Sequence, residues 1–265
     1  MKKQVLSVCA AVASVVAFAS AVESSNTFGV IKIDAGETNA SRDVFISVPW
    51  IGVGNAESAQ TIDGKSLVLA SQLNVGDLLL VYGGGSTTGK FGAWAVNSSH
   101  EWEAATVSDE SATWETGDND GLNRGSGVVV RTAQRYIYVY GQYSATESAL
   151  TIANASGWAY TLIGTGFAKD YDLNNTDQVT WTGTIDKEDY IVTALGTQYT
   201  RNSANTAWQK PDGTTTDVQV SANLTVKKPN YTTVGVTLPQ GRGGWYAHKG
   251  NAELSVTFKN YTPAE

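Results

Sequence analysis

The 265-residue chain has a single cysteine, Cys9, and that residue falls in the N-terminal apolar segment. Lys2 and Lys3 precede an apolar run from Val5 to Ala19, and Ala19-Ser20-Ala21 is a small-x-small cleavage site, so residues 1–21 read as a Sec signal peptide that removes Cys9 with it. The mature chain is then expected to have no thiol. That excludes a disulfide framework and a cysteine nucleophile, and it leaves the fold to hold itself by buried surface. Histidine is nearly as scarce: His100 and His248 are the only two, and neither has a second Cys or His two to four residues away, so no zinc-type site is read. Both are placed on loops or strand ends, and no cofactor is expected. The run up to Ala19 falls short of the roughly 20 residues that span a bilayer. No comparable apolar stretch follows, so no membrane span is expected in the mature chain. An excess of positive charge is missing too. The formal charge is −7, and −9 without Lys2 and Lys3, with 25 acidic side chains scattered along the chain, which argues against nucleic acid or an anionic membrane as partner. Helical periodicity is the last absence: no long segment combines i, i+3, i+4 apolar spacing with a cap.

What the chain does have is strand signal between turns. Leu122 to Tyr143 reads LNRGSGVVVRTAQRYIYVYGQY, a Gly-rich turn, a valine strand, a break and the strand Tyr136 to Tyr140. The plan recurs at Leu238 to Tyr261, where Arg242-Gly243 lies 118 residues after Arg124-Gly125 and Asn260-Tyr261 lies 118 after Gln142-Tyr143. A constant offset points to internal duplication. Asp43 to Pro49 matches Trp158 to Gly164 in order, Leu73 to Tyr82 matches Ile185 to Leu195, and the series Phe91, Asn97–Ser99, Trp102 matches Tyr199, Asn202–Asn205, Trp208. Phe28 to Ile33 is the expected first strand, and the continuous run Leu78 to Tyr82 suits a strand covered on both faces. Asn55 to Ser71 is the one place for a short helix, Val107 to Asn123 reads as the longest loop of the first half, and Ser144 to Ser156 as a hinge holding a short strand, Ala149 to Ile152. The expectation is an all-β protein of two tandem related β-sandwich or barrel-like units: residues 1–21 the signal peptide, 22–148 the first repeat and 149–265 the second.

Chemistry is thinly represented. Asp118-Asn119-Asp120-Gly121 fits places three to six of a calcium loop, but Thr116 and Gly127 stand at the first and twelfth, so Asp118 and Asp120 are a weak calcium candidate only. There is no Gly-x-Ser-x-Gly elbow; Arg124-Gly125-Ser126-Gly127 is similar in outline, but its counterpart Arg242-Gly243-Gly244 has no serine. Of the eight tryptophans, most are expected in core and turns. Trp114 and Trp181 lie in polar surroundings outside the repeated motifs, which makes them the candidates for stacking on a sugar ring.

The stretches Asn-Thr-Phe-Gly-Val-Ile-Lys-Ile, Phe-Ile-Ser-Val-Pro-Trp, Val-Gly-Asp-Leu-Leu-Leu-Val-Tyr and Arg-Gly-Ser-Gly, with the leader, resemble uncharacterised exported proteins of planctomycete and verrucomicrobial type bacteria. The resemblance covers most of residues 22–143 and implies export and a duplicated all-β build. The function expected is an exported structural or adhesive protein of the periplasm, cell surface or extracellular space, without catalytic activity. It would assemble with itself or other envelope proteins through strand edges, with Phe28, Val30, Ile31 and Ile33 on one candidate edge and Leu254 to Phe258 on another. A carbohydrate-binding module is the alternative, and a polysaccharide hydrolase using paired carboxylates ranks third.

Overall fold

The computed structural model describes residues 28–36, 40–53, 60–82, 91–105, 108–109, 112–116, 122–221 and 224–260. In the first half these form β1 (Phe28–Asp34), β2 (Arg42–Ser47), β3 (Thr61–Ile62), β4 (Leu78–Tyr82), β5 (Phe91–Val96), β6 (Trp102–Ala104), β7 (Ser108–Asp109), β8 (Ala112–Thr116), β9 (Leu122–Asn123), β10 (Gly127–Thr132) and β11 (Tyr136–Gln142). The second half supplies β12 (Ser148–Ile152), β13 (Trp158–Ile163), β14 (Tyr171–Asp172), β15 (Val179–Gly183), β16 (Tyr190–Thr193), β17 (Gln198–Arg201), β18 (Trp208–Ser221), β19 (Leu224–Thr232), β20 (Thr237–Leu238), β21 (Gly244–Lys249) and β22 (Leu254–Phe258). The helical expectation at residues 55–71 reduces to one turn, α1 (Gly64–Leu67), followed by a 3-10 turn at Ala70–Gln72. Asp63 starts α1 by accepting the Lys65 N–H at 2.8 Å.

Two sheets make the middle of the molecule. One runs β2-β10-β4-β5-β8-β7 with β6 also on β5, the other β13-β21-β16-β17-β18-β19, and smaller sheets β1-β11 and β12-β22-β15 lie outside them. None closes into a barrel, so sandwich describes the build and barrel does not. Ile31 and Ile33 of β1 and Ile137 and Val139 of β11 face Val44, Ile46, Leu79, Val81, Val128 and Val130 of the first middle sheet. The second half repeats this between its outer and middle sheets, with Leu150, Val256 and Phe258 meeting Ile163, Ile191 and Tyr246. A third cluster joins Leu80, Ala93 and Val129 to Leu162, with Phe45, Tyr82 and Trp245 around it, so the two middle sheets also pack back to back. This explains the unbroken apolar run of β4: Leu79 and Val81 point to one layer, Leu80 to the other.

The halves are fastened where the Arg-Gly turns cross. Gly125 O accepts the Gly164 N–H at 2.8 Å, and Ser126 bridges to Ile163. Reciprocally, Gly241 O accepts the Ser47 N–H at 3.0 Å, and Arg242 bridges to Ile46. Glycine suits this close approach: a Cβ on Gly127 would lie 3.3 Å from the carbonyl oxygens of both Ile46 and Ile163, and one on Gly243 3.2 and 3.0 Å from the same two atoms, tight enough that the backbone would have to shift. Each arginine then reaches out of its own half. Arg124, fully buried, donates through Nη1 to Ser144 O at 3.1 Å and through Nη2 to Thr146 O, and lies 4.7 Å over the Phe167 ring. Burial lowers its pKa to about 10, so it remains a cation at neutral pH. Arg242 Nη2 donates to Asp34 O at the end of β1.

Two sequence expectations change and a third holds. Leu254 to Phe258 is no edge, because β22 is paired on both sides, to β12 and to β15. Val107 to Asn123 contains β7, β8 and β9 rather than one loop. The hinge strand is present as β12, bound into the second outer sheet. Among the described residues no helix is long and apolar enough to cross a membrane.

Candidate functional site

The densest polar cluster is sealed inside the second half. His248 sits within β21 rather than on a loop, and it, Asp189 and Tyr246 are fully buried. Asp189 Oδ2 lies 2.9 Å from His248 Nδ1 and accepts the Tyr246 hydroxyl at 2.9 Å and the Asp186 N–H at 3.1 Å, while Oδ1 accepts the Lys249 N–H at 2.8 Å. His248 Nε2 lies 3.0 Å from Ala252 O, an atom that only accepts, so this nitrogen is the donor. Both carboxylate oxygens are engaged and no solvent reaches the group, so the cluster ties the 186–189 turn to β21 and holds no substrate. In the first half Asp77 does the same with simpler partners, accepting the Asn74 N–H at 2.9 Å and the Thr132 hydroxyl at 2.5 Å. His100 lies on an exposed turn. Among the described residues no three His, Cys, Asp or Glu side chains gather as a metal site, and Asp118 and Asp120 lie outside the described residues.

Two surface features remain. A cleft of about 490 Å³ opens beside β15, lined among others by Trp181, Thr180, Asp177, Thr206, Arg201 and Lys259. Trp181, half-buried, packs against Trp208 and Tyr246 at ring separations of 5.6 and 5.5 Å, which fixes its plane at the mouth of the second core. Arg201 is held by Asn205, through Nε to Oδ1 at 2.8 Å, and lies 4.9 Å over Trp208. The other sugar candidate, Trp114, belongs to β8, which runs parallel to β5, but its side chain lies outside those described.

The second feature is a groove of about 410 Å³ beside β1, lined by Phe28, Val30, Val53, Leu69 and Tyr140 with Lys65 at its rim. Phe28, Val30 and Val53 are 61, 58 and 60% exposed, high for neighbouring large apolar side chains. Of the four residues expected on this edge, only Phe28 and Val30 present side chains outward. Ile31 and Ile33 are buried, as the two-residue strand period requires once one face meets the core. Gly29 and Gly141, directly paired across the ladder, leave room for Trp50: a Cβ at Gly29 would strike its ring, and one at Gly141 its Cβ, each at 2.2 Å. Among the described residues β1 pairs only with β11, so its outer edge carries no strand.

The buried cluster generates a pH prediction. Burial, reinforced by the neighbouring Asp189 carboxylate, holds the Tyr246 pKa above its ordinary value. Above about pH 10 the unfolded chain releases this proton and the native chain keeps it, so the native state binds more protons and stability falls as pH rises. In equilibrium unfolding followed above pH 10, Tyr246→Phe is expected to lose stability with pH less steeply than the parent, by about 1.4 kcal/mol per pH unit, one proton's share. Equal slopes would contradict the assignment. Comparison with protein-family models, curated proteins and solved structures gave no match.

Proposed function

We propose that the chain is an exported structural or adhesive protein, without catalytic activity, that assembles through the open edge of β1. The observation that carries this reading is the coincidence of a seven-residue strand that has no neighbour on its outer edge among the described residues with the apolar groove at Phe28, Val30, Val53 and Leu69. An edge of free N–H and C=O groups is a template for another strand, and an adjoining apolar surface adds the side-chain contacts that make pairing specific. The leader at residues 1–21 supports export. Two tandem related units, residues 22–148 and 149–265, are part of the same reading. Their support is the matching order of β2-β10-β4-β5 and β13-β21-β16-β17, the like pairing of β3 with β9 and of β14 with β20, and the Asp77 and Asp189 turn caps.

The edge is tested by replacing its two outward side chains. Light scattering over a wide concentration range should show the mass of residues 22–265 rising with concentration, and the double variant Phe28→Lys, Val30→Lys staying monomeric with an unchanged melting curve, as expected for exposed positions. A parent protein that remains monomeric throughout would overturn the reading.

A second reading rests on the Trp181 cleft, where an anchored indole and the polar groups of Thr180, Asp177 and Thr206 form a surface suited to a sugar ring. It predicts glycan-array binding that Trp181→Ala abolishes and Trp181→Phe retains in part, both folded by melting curve. Absence of binding to any glycan would remove it.

A further inference from the structure

The longest strand of the protein is the least covered. β18 has 14 residues, about 45 Å of chain. β17 accompanies it only at Gln209 and Trp208, so beyond that point β18 and β19 stand out as a two-stranded arm. Residues 211–217 are all exposed. A two-stranded ribbon is marginal in water by itself, so an arm of this length is a surface awaiting cover. Its base carries Pro211 and Pro229, which remove ladder donors and discourage pairing there. Its outer part, Thr215 to Ser221, has no proline and places Val218 and Val220 two residues apart on one face, beside Val226 across the ladder.

We propose that this arm is the strand that β1 receives, supplied by a second copy of the chain: residues 215–221 of one molecule pair along the outer edge of β1 of the next, with Val218 and Val220 beside Phe28 and Val30. The proposal deepens the edge-assembly reading and rests on it. Two observations select a second copy as occupant. The segments match in length, seven residues each. Their apolar residues share the same two-residue spacing, with Phe28, Val30 and Val220 exposed and Val218 half-buried, so one register brings both pairs together. Donor and acceptor are different surfaces. Each added copy therefore presents a fresh arm, and the contact propagates as an open chain or closes as a ring.

Cysteine cross-linking tests this cleanly, because residues 22–265 contain no thiol and include every described residue. Val30→Cys is prepared with one mass tag, and Val218→Cys and Val220→Cys with another; Val30 and Val220 are exposed and Val218 is half-buried, and melting curves check folding. The expected result is a disulfide between differently tagged chains when Val30→Cys is mixed with an arm variant, lost when the arm partner also carries Thr216→Pro. Val30→Cys linking only to itself would preserve edge assembly but overturn the arm as its partner. No cross-link in any mixture overturns the arm proposal, and only a monomeric parent by light scattering would also remove the edge reading.

Discussion

Four chain segments meet where Gly127 and Gly243 each pass between the carbonyl oxygens of Ile46 and Ile163, and the rest of the architecture depends on that meeting. The backbone approach would crowd any side chain. It brings the end of β2 to the turn before β21 and the end of β13 to the turn before β10, so each half completes the other's sheet with backbone hydrogen bonds. Arg124 and Arg242 then extend from the same turns beyond their own half, Arg124 to the Phe167 ring and Arg242 to the Asp34 carbonyl. A chain without disulfides gains here what cross-links supply elsewhere, a fixed relation between segments more than a hundred residues apart.

The consequence is a molecule with well-protected middle sheets and uneven margins. Back-to-back contact at Leu80, Val129 and Leu162 covers the sides on which the two middle sheets face each other. In the second half β15 guards one side of β22, and in the first half the Gln72 side chain holds the Tyr138 N–H and C=O at 2.6 and 2.8 Å, closing that edge of β11. On β1 the Arg242 side chain holds the Asp34 carbonyl at one end of the outer edge, and among the described residues no strand covers the rest. The arm formed by β18 and β19 is likewise uncovered, with proline at its base only. One molecule thus leaves open one acceptor edge and one donor ribbon.

Much of this was legible from local signals. The run Leu78 to Tyr82 predicted burial on two faces because no polar residue interrupts it, and the recurrence of Arg-Gly turns marked the two places that matter most. What those turns touch was not legible, since Ile46 and Ile163 lie far from them in sequence. Leu254 to Phe258 looked like an edge because its composition is that of any half-buried strand; whether a strand has one neighbour or two is decided by topology. His248, followed by Lys249, read as a loop or strand-end residue with no partner in view, yet Asp189 meets it from 59 residues away. The arm escaped notice for the opposite reason: Pro211, Asp212-Gly213 and Pro229 are turn punctuation, and a ribbon that meets no core carries no core pattern.

Strand addition at β1 ties these features to a purpose, giving the open edge, the apolar groove and the arm one explanation. Amide hydrogen exchange measured on residues 22–265 at low and high protein concentration addresses it most directly. The account predicts that amides of residues 28–34 and 215–221 become more slowly exchanging as concentration rises, while those of β10 and β21 at the crossing stay slow throughout. Exchange in residues 28–34 and 215–221 that is the same at both concentrations would contradict it.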